Sequence, residues 1–220
     1  MCLSVEEALA RCGVSTLRVW STSKCVVVGR FQEIEKEVDT HFCLENEIPM
    51  LRRFTGGGAV YIDEGVACLS FCLPVQKNPL DIFHALSVCV GETVHAHIDQ
   101  KNSLFIDNKK ISGAASCKKW GSLFHHMTLL VECNLENMKA LTPHRNKGSR
   151  TQSNYCEVAN LDGDMKAILF EIAQNIREEF DVKLKLGKLL DTERDLADRL
   201  LREKYTNKEW NYLGQDPLYH

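Results

Sequence analysis

The stretch Arg52-Arg53-Phe54-Thr55-Gly56-Gly57-Gly58-Ala59-Val60-Tyr61 limits what this chain can become more than any other. Two cations lead, three glycines follow, and a short apolar run closes it. Met50 to Phe54 reads as one strand and Ala59 to Ile62 as the next, with the glycines between them. Lacking Cβ, glycines reach φ > 0 and let a ligand approach the backbone. Successive exposed N–H groups make an anion cradle, and neighbouring arginines add donors for phosphate or carboxylate. A glycine-rich hairpin turn with surface arginines is the plainer alternative. Two residues suffice to close a hairpin, so the extra glycines favour a ligand loop. Its spacing matches neither a Walker loop nor a dinucleotide fingerprint.

The chain has 220 residues, enough for one large domain with its own core. A net charge of −3 provides no global basic field for nucleic acid. No apolar run approaches the ~18 residues of a membrane span. Met1-Cys2-Leu3-Ser4-Val5-Glu6-Glu7 has acids too early, and no basic start, for a signal peptide. There are 10 cysteines and no Cys-x-x-Cys pair. They read as small buried hydrophobes in a reducing compartment, not as a disulfide framework. For a bacterial or archaeal source that compartment is expected to be the cytosol.

Ser4 and Glu7 have capping-box spacing and predict a helix from Val5 to Cys12, stopped by Gly13. Leu17–Trp20 and Cys25–Gly29 read as strands, and Asp39 to Asn46 as a helix. Arg30, just past the second strand, suits a ligand contact and a solvated strand end equally. Cys68–Leu73 is a strand ended by Pro74. Pro79 opens a long helix with Ile82, Phe83, Leu86, Val90 and Val94 at helical spacing. His95 and His97 follow; two polar residues at a helix exit explain them better than a metal site without a third ligand. Leu104–Ile106 and Lys109–Ala115 predict a hairpin around Asp107-Asn108. Neighbouring lysines on a strand face opposite ways, so either Lys109 or Lys110 faces inward or into a cleft. Small residues from Ser112 to Ala115 leave room there for a ligand; a solvated edge guarded by lysines fits the segment as well.

Phe124–Val131 reads as a strand with His126 beside Phe124 and Thr128 on one face and His125 beside Met127 on the other. Asn134 caps a short helix to Ala140. Thr142 to Asn154, with Arg145, Lys147, Gly148 and Arg150, reads as a solvated basic loop. Met165–Phe180 is an amphipathic helix, Val182–Leu186 a last strand, and a final helix starts at Asp191. The pattern predicts an α/β protein of α+β type: a mixed β-sheet flanked by helices.

Several segments, in this order, resemble the lipoate–protein ligase A family. They are Val28-Gly29-Arg30-Phe31-Gln32, the Arg52–Tyr61 stretch with Asp63-Glu64-Gly65, Lys109 to Ala115, His125 to Leu130, and the tail Lys204 to Asn211. The resemblance covers nearly the whole chain and implies a biotin/lipoate protein ligase-like, class II synthetase-like fold. It also implies a reaction. Lipoate's carboxylate attacks the α-phosphate of ATP to give lipoyl-AMP and pyrophosphate, and a lysine of an acceptor lipoyl domain then takes the lipoyl group as an amide.

Carried over residue by residue, Lys110 matches the family's active-site lysine. Arg53, Thr55, Gly56, Gly57, Gly58, Ala59, Val60, Tyr61, Asn102, Ser112 and Gly113 match nucleotide and lipoyl-AMP contacts. Trp20, Gly57, Gly58, Val60 and His126 match the lipoate slot. Mg²⁺ would accompany ATP. The acceptors implied are lipoyl domains of 2-oxoacid dehydrogenase E2 subunits and the glycine cleavage H protein.

Departures are visible. Asn102-Ser103 replaces the common Asn-Asp, Ile62 a common histidine, and Met127 the glycine of His-His-Gly-Thr. Larger members continue into a C-terminal accessory domain, so residues 1–220 are expected to form a catalytic domain alone. Some small members use a separate accessory protein, and related transferases only pass on ready-made lipoyl-AMP. Superfamily octanoyl or lipoyl transferases use a cysteine shortly before the Lys-Ile-Ser-Gly motif. None lies between His95 and Asn108; Cys89 is within the preceding helix and Cys117 follows the motif. The Gly-Arg-Gly-Arg-type loop of biotin ligases is absent. Outside the enzymes, two options stand: a subunit that holds lipoyl-AMP without making it, and a nucleic-acid binder using the Arg145–Arg150 loop. The acidic balance and the lack of interleaved aromatics argue against the second.

Overall fold

The computed structural model describes residues 2–75, 77–142, 153 and 155–218. The basic loop read around Arg145, Lys147, Gly148 and Arg150 lies outside the described residues.

Six helices and nine strands form among them: α1 (Cys2–Cys12), α2 (Ile34–Glu37), α3 (Thr40–Glu45), α4 (Pro79–Thr93), α5 (Met165–Glu179) and α6 (Asp191–Leu200), with β1 (Thr16–Trp20), β2 (Cys25–Val28), β3 (Met50–Arg52), β4 (Val60–Ile62), β5 (Val66–Pro74), β6 (His97–Ile98), β7 (Leu104–Ile106), β8 (Lys109–Lys119) and β9 (Ser122–Leu130). A 3₁₀ helix spans Leu135–Ala140, and two π-helical turns, Leu201–Tyr205 and Glu209–Leu213, close the chain. No described helix is long and apolar enough to cross a membrane.

The strands divide into two sheets. One has the order β1-β5-β9-β8-β7-β6 and is antiparallel throughout. The other is β3-β2-β4, where β2 runs parallel to β3 and antiparallel to β4. The mixing read from the sequence is therefore confined to the small sheet. Its parallel pair needs a crossover, and α2 and α3, between β2 and β3, supply it.

Each face of the large sheet covers a separate core. Cys68, Cys72, Phe124 and Leu130 turn toward α1, α6 and the small sheet. Leu69, Phe71, Met127 and Leu129 turn toward α4 and α5, against Leu86, Val90, Ile172 and Ile176. Period-2 alternation along β5 and β9 fills both cores. Six of the ten cysteines are buried and all are free, as small hydrophobes would be.

Two expectations fail. α1 begins by Cys2, so Ser4 lies within the helix and is fully buried instead of capping it. Gly13 does end the helix, at φ +72 with its N–H on Leu9 O at 2.9 Å. Val182–Leu186 is not a strand: residues 181–188 are all exposed, and no sheet edge pairs with them. Alternating hydrophobicity makes a strand only where one face is buried.

Candidate active site

Arg52 and Arg53 end β3, and the glycines lead into β4. These two strands do not pair with each other; both pair with β2, one on each side. The segment 53–59 is therefore no hairpin turn. It crosses over the end of β2, where a Cβ on Gly29 would sit 2.1 Å from Gly57 O. Gly57 itself takes φ +90. A Gly29→Ala change must lift the loop. The expected result is a stability loss of about 1–3 kcal/mol, the usual range for overpacking, with loss of turnover. Thermal melts and transfer assays on the variant check it.

The two arginines have different tasks from the ones their sequence position suggests. The Arg53 guanidinium, 5% exposed, bonds its own loop: Nε to Thr55 Oγ1 and Gly56 O, Nη2 to Gly56 O and Gly58 O, Nη1 to Val27 O. It shapes the loop from inside. Among the described residues, the amides of Gly57 and Gly58 have no acceptor, and that of Ala59 donates to Ser153 Oγ at 2.9 Å. Arg52 faces away and binds carbonyls of the chain terminus. Arg30 pairs with Asp216 and does not reach the cavity.

In front of the loop lies a cavity of about 550 Å³. Its apolar end is walled by Leu3, Trp20, Val27, Ile62 and Cys68, its polar end by Asp99, Lys101, Ser103, Lys110 and Thr128. A second cavity of about 610 Å³ shares Ala59, Val60, Lys110, Gly113 and Ser153 with it.

A β-bulge decides which lysine enters. Phe105 pairs with Lys110, but Leu104 pairs with Ser112, so β8 carries an extra residue at Ile111. The extra residue inverts the alternation beyond it. Ser116 faces α4, Gly113 and Ala115 line the cavity, and Lys110 joins the latter set. Its Nζ lies 3.6 Å from where a Cβ of Gly113 would be. It makes no ion pair or side-chain hydrogen bond with a described residue. Burial, and to a lesser degree Lys101, hold its pKa below the ordinary lysine value, against the opposing pull of Asp99 and Cys156. A half-buried cation with no anion among the described residues, in one cavity with the Gly57 and Gly58 amides, is arranged for an anionic ligand.

The adjacent histidines divide as their strand faces require. His126 lines the cavity. His125 is 1% exposed, stacked on Phe83, with Ser87 and Ser116 on its two nitrogens at 2.9 and 2.7 Å. The Ser87 hydroxyl donates to Phe83 O, so it accepts from His125 Nε2–H, and Nδ1 accepts from Ser116. Burial, then the charge of His126, pull the His125 pKa down to about 3. A folded pKa below the unfolded ~6.5 means that the folded ring binds fewer protons. Its stabilising contribution is full above about 6.5 and is lost as pH falls toward 3. The melting temperature is expected to drop less steeply from pH 7 to 4.5 in His125→Asn than in the wild type; equal slopes would refute this.

A model of the lipoyl protein ligase A/B catalytic domain matches residues 2–180. The chain belongs to that family. Among its relatives is lipoate-protein ligase A subunit 1 of Thermoplasma acidophilum, 29% identical over 96% of this chain and 91% of that protein. Another is the lipoate–protein ligase of Streptococcus pyogenes, 32% identical over 88% of this chain. The chain spans 62% of the streptococcal ligase's length. A T. acidophilum structure with bound lipoic acid superposes with a TM-score of 0.85 at 26% identity, covering 96% of this chain and 92% of that one. Two others superpose at 0.84 and 26%, each over 96% of this chain: an archaeal bi-partite lipoate protein ligase and its E2 lipoyl domain (90% of that chain), and lipoate-protein ligase A bound with ATP (92%).

Against the residues that the family resemblance singled out, the cavity brings together Trp20, Arg53, Gly57, Gly58, Ala59, Val60, Lys110, Gly113 and His126. Tyr61 and Ser112 border the second cavity instead; the Tyr61 hydroxyl accepts from Asn137 at 2.7 Å. Thr55 is buried beneath the loop, bonded to His126, and Gly56 offers its carbonyl to Arg53. Asn102 is not on the wall: at φ +62 it turns its side chain to His84. That turn presents Asp99, Lys101 and Ser103 in its place. Sequence reasoning noted Ser103 only as a departure from the family pattern and missed Asp99 and Lys101, and also Glu6 and Ser153. The spacing Asp99-x-Lys101-x-Ser103 carries the turn's signal, since Asp99 Oδ1 accepts from the amides of Lys101 and Ser103, both at 2.8 Å.

Proposed function

We propose that this chain is an ATP-dependent lipoate–protein ligase, acting as one catalytic domain. It joins lipoate to AMP and passes the lipoyl group to a lysine of an acceptor lipoyl domain. The observation that carries this reading is Lys110: an ammonium with no ion-pair partner among the described residues, lining the same cavity as Gly57 and Gly58, whose amides have no acceptor among those residues, and as the apolar slot. The family membership and the likeness to lipoate-bound and ATP-bound ligases support it.

The residues account for both steps. The apolar end, with Trp20 and Val60, takes the dithiolane and alkyl chain and leaves the carboxylate at the polar end. A carboxylate oxygen bonds to the α-phosphorus of ATP, the bond to the bridging oxygen breaks, and pyrophosphate departs. Negative charge grows on the α-phosphate oxygens, where Lys110 and the amides of Gly57 and Gly58 stabilise it. In the second step the acceptor amine bonds to the lipoyl carbonyl carbon. The carbon–oxygen bond to phosphate breaks, AMP leaves with the electron pair, and the amine loses a proton. Lys110 then polarises the carbonyl.

No group of three potential metal-ligating side chains forms among the described residues. Mg²⁺ held chiefly by substrate phosphates needs only one or two protein carboxylates, and Asp99, with Oδ1 committed to its turn and no partner on Oδ2 among the described residues, fits that part. Mg²⁺ would supply charge neutralisation to the triphosphate. Acceptors would be E2 lipoyl domains and the glycine cleavage H protein, in the cytosol or, in a eukaryote, the mitochondrial matrix.

A second reading is that adenylation depends on another protein and the chain alone transfers preformed lipoyl-AMP. Likeness over 96% of the chain, and 91% of the relative, to subunit 1 of an archaeal ligase favours it. Pyrophosphate release with ATP, Mg²⁺ and lipoate, followed by transfer to a lipoyl domain, tests the pair. Release identifies a self-sufficient ligase. Transfer from supplied lipoyl-AMP without release identifies the two-protein arrangement. Failure of both overturns the function.

A further inference from the structure

Glu6 is a charged residue in an apolar place. It lies fully buried on α1, at the slot end walled by Leu3, Val27 and Cys68. A carboxylate there is tolerated only with compensating partners, and they are present. The Ser70 hydroxyl donates to Oε1, and His126 Nδ1 stands 3.2 and 3.3 Å from the two oxygens. Burial works to raise the pKa of Glu6, but His126, Ser70 and Arg18 outweigh it and leave the carboxyl below its ordinary value.

The hydrogens can be placed along the whole chain of contacts. Trp20 Nε1 donates to Ser70 Oγ at 3.1 Å, so the Ser70 proton goes to Glu6. An ionised carboxylate only accepts, so His126 Nδ1 carries a proton. In the neutral ring Nε2 is then an acceptor, and its partner at 2.8 Å is the Thr55 hydroxyl. Thr55 Oγ1 in turn accepts from Arg53 Nε at 3.1 Å. The slot floor and the glycine loop are thereby joined through one relay.

We propose that Glu6 is a positioning residue: it locks His126 as the Nδ1–H tautomer and, through Thr55, sets the glycine loop against the acyl slot. The proposal rests on the function above only for its activity readout. Glu6 touches neither reacting centre; it acts through His126.

Two measurements test it. The first is ¹⁵N NMR of the neutral His126 ring in the wild-type protein, assigned by comparison with His126→Gln. Protonated Nδ1 with acceptor Nε2 is expected, and an Nε2–H tautomer overturns the proposal. The second is a double-mutant cycle of Glu6→Gln and Thr55→Val, read on kcat for transfer from lipoyl-AMP. Each single change is expected to cost about tenfold, the scale of one charge-assisted hydrogen bond. The double variant should lose little more than either alone, and Thr55→Ser should restore the rate. Multiplying losses, with Thr55→Ser as poor as Thr55→Val, overturn it. A Glu6→Gln chain that fails to fold leaves the tautomer and the Thr55 pair to decide. A folded wild type that moves no lipoyl group would defeat the function, and the tautomer alone would then decide the positioning role.

Discussion

Lys110→Ala is expected to lower lipoyl transfer from lipoyl-AMP by about 10²–10³-fold, the range seen when one preorganised electrostatic donor is removed from a reacting centre. The protein should remain folded. Lys110 contributes a charge to the cavity and makes no ion pair with a described residue. Its backbone bonds, N–H to Glu157 O at 2.7 Å and carbonyl from Ala159 N–H at 3.1 Å, do not depend on the side chain. Removing a half-buried cation that lacks a partner among the described residues relieves a desolvation cost, so the melting temperature should hold or rise slightly. Lys109→Ala provides the comparison. Its side chain is exposed, and it borders only the second cavity, so transfer should fall far less. Equal losses at the two positions would mean that the bulge at Ile111 does not select Lys110. Full activity in folded Lys110→Ala would remove the lysine from the mechanism.

What could be read in advance follows the range over which each signal acts. Period-2 alternation in β5 and β9 reports a local pleat, and it separated His126 from His125 correctly. The adjacency of Lys109 and Lys110 put them on opposite faces, one inward or in a cleft, with a solvated edge as an equal alternative. Which one depends on an extra residue in β8 relative to β7, and no residue type announces that register. The same holds for Glu6. On α1 it sits beside Glu7 as one of two acids, and only the fold places one at the slot floor and the other on Lys204, at 2.9 Å. The strand read at Val182–Leu186 failed for the converse reason. Its alternation is real, but no sheet edge pairs with it. The glycine loop was legible as a special backbone, yet not as a crossover above Gly29, because β2 comes between its two flanking strands in the sheet.

Arg52 shows how far such a reading can mistake structure for recognition. From its position it is a phosphate donor; in the structure it is 1% exposed and each of its three guanidinium nitrogens bonds to carbonyls. Nε bonds Trp210 O and Asn211 O, Nη1 bonds Gly29 O, Arg30 O and Gln32 O, and Nη2 bonds Tyr212 O. Trp210 Nε1 answers with a bond to Arg52 O at 3.0 Å, and Asn211 Oδ1 accepts from its amide at 3.0 Å. Burial, then the Arg30 charge, lower its pKa to about 10, which leaves it charged at neutral pH. It thus fastens the closing π-helical turns to the Gly29–Gln32 turn, and the Arg30 amide in turn holds Thr55 O at 2.8 Å. Arg52→Met keeps the length and removes the donors, so buried carbonyls lose their partners. Hydrogen bonds to a charged group contribute about 1.5–3 kcal/mol each. A loss of only two sets a floor of about 3 kcal/mol, or roughly 6–12 °C in melting temperature for a chain of this size. Arg52→Lys should not rescue it, since a single ammonium cannot meet six carbonyls spread around a planar fork. Transfer should fall as well, because the glycine loop rests on the turn that Arg52 holds. A melting temperature within 2 °C of the wild type in Arg52→Met would show that the terminal turns are not fastened by this side chain (roughly the shift from ~1 kcal/mol or less).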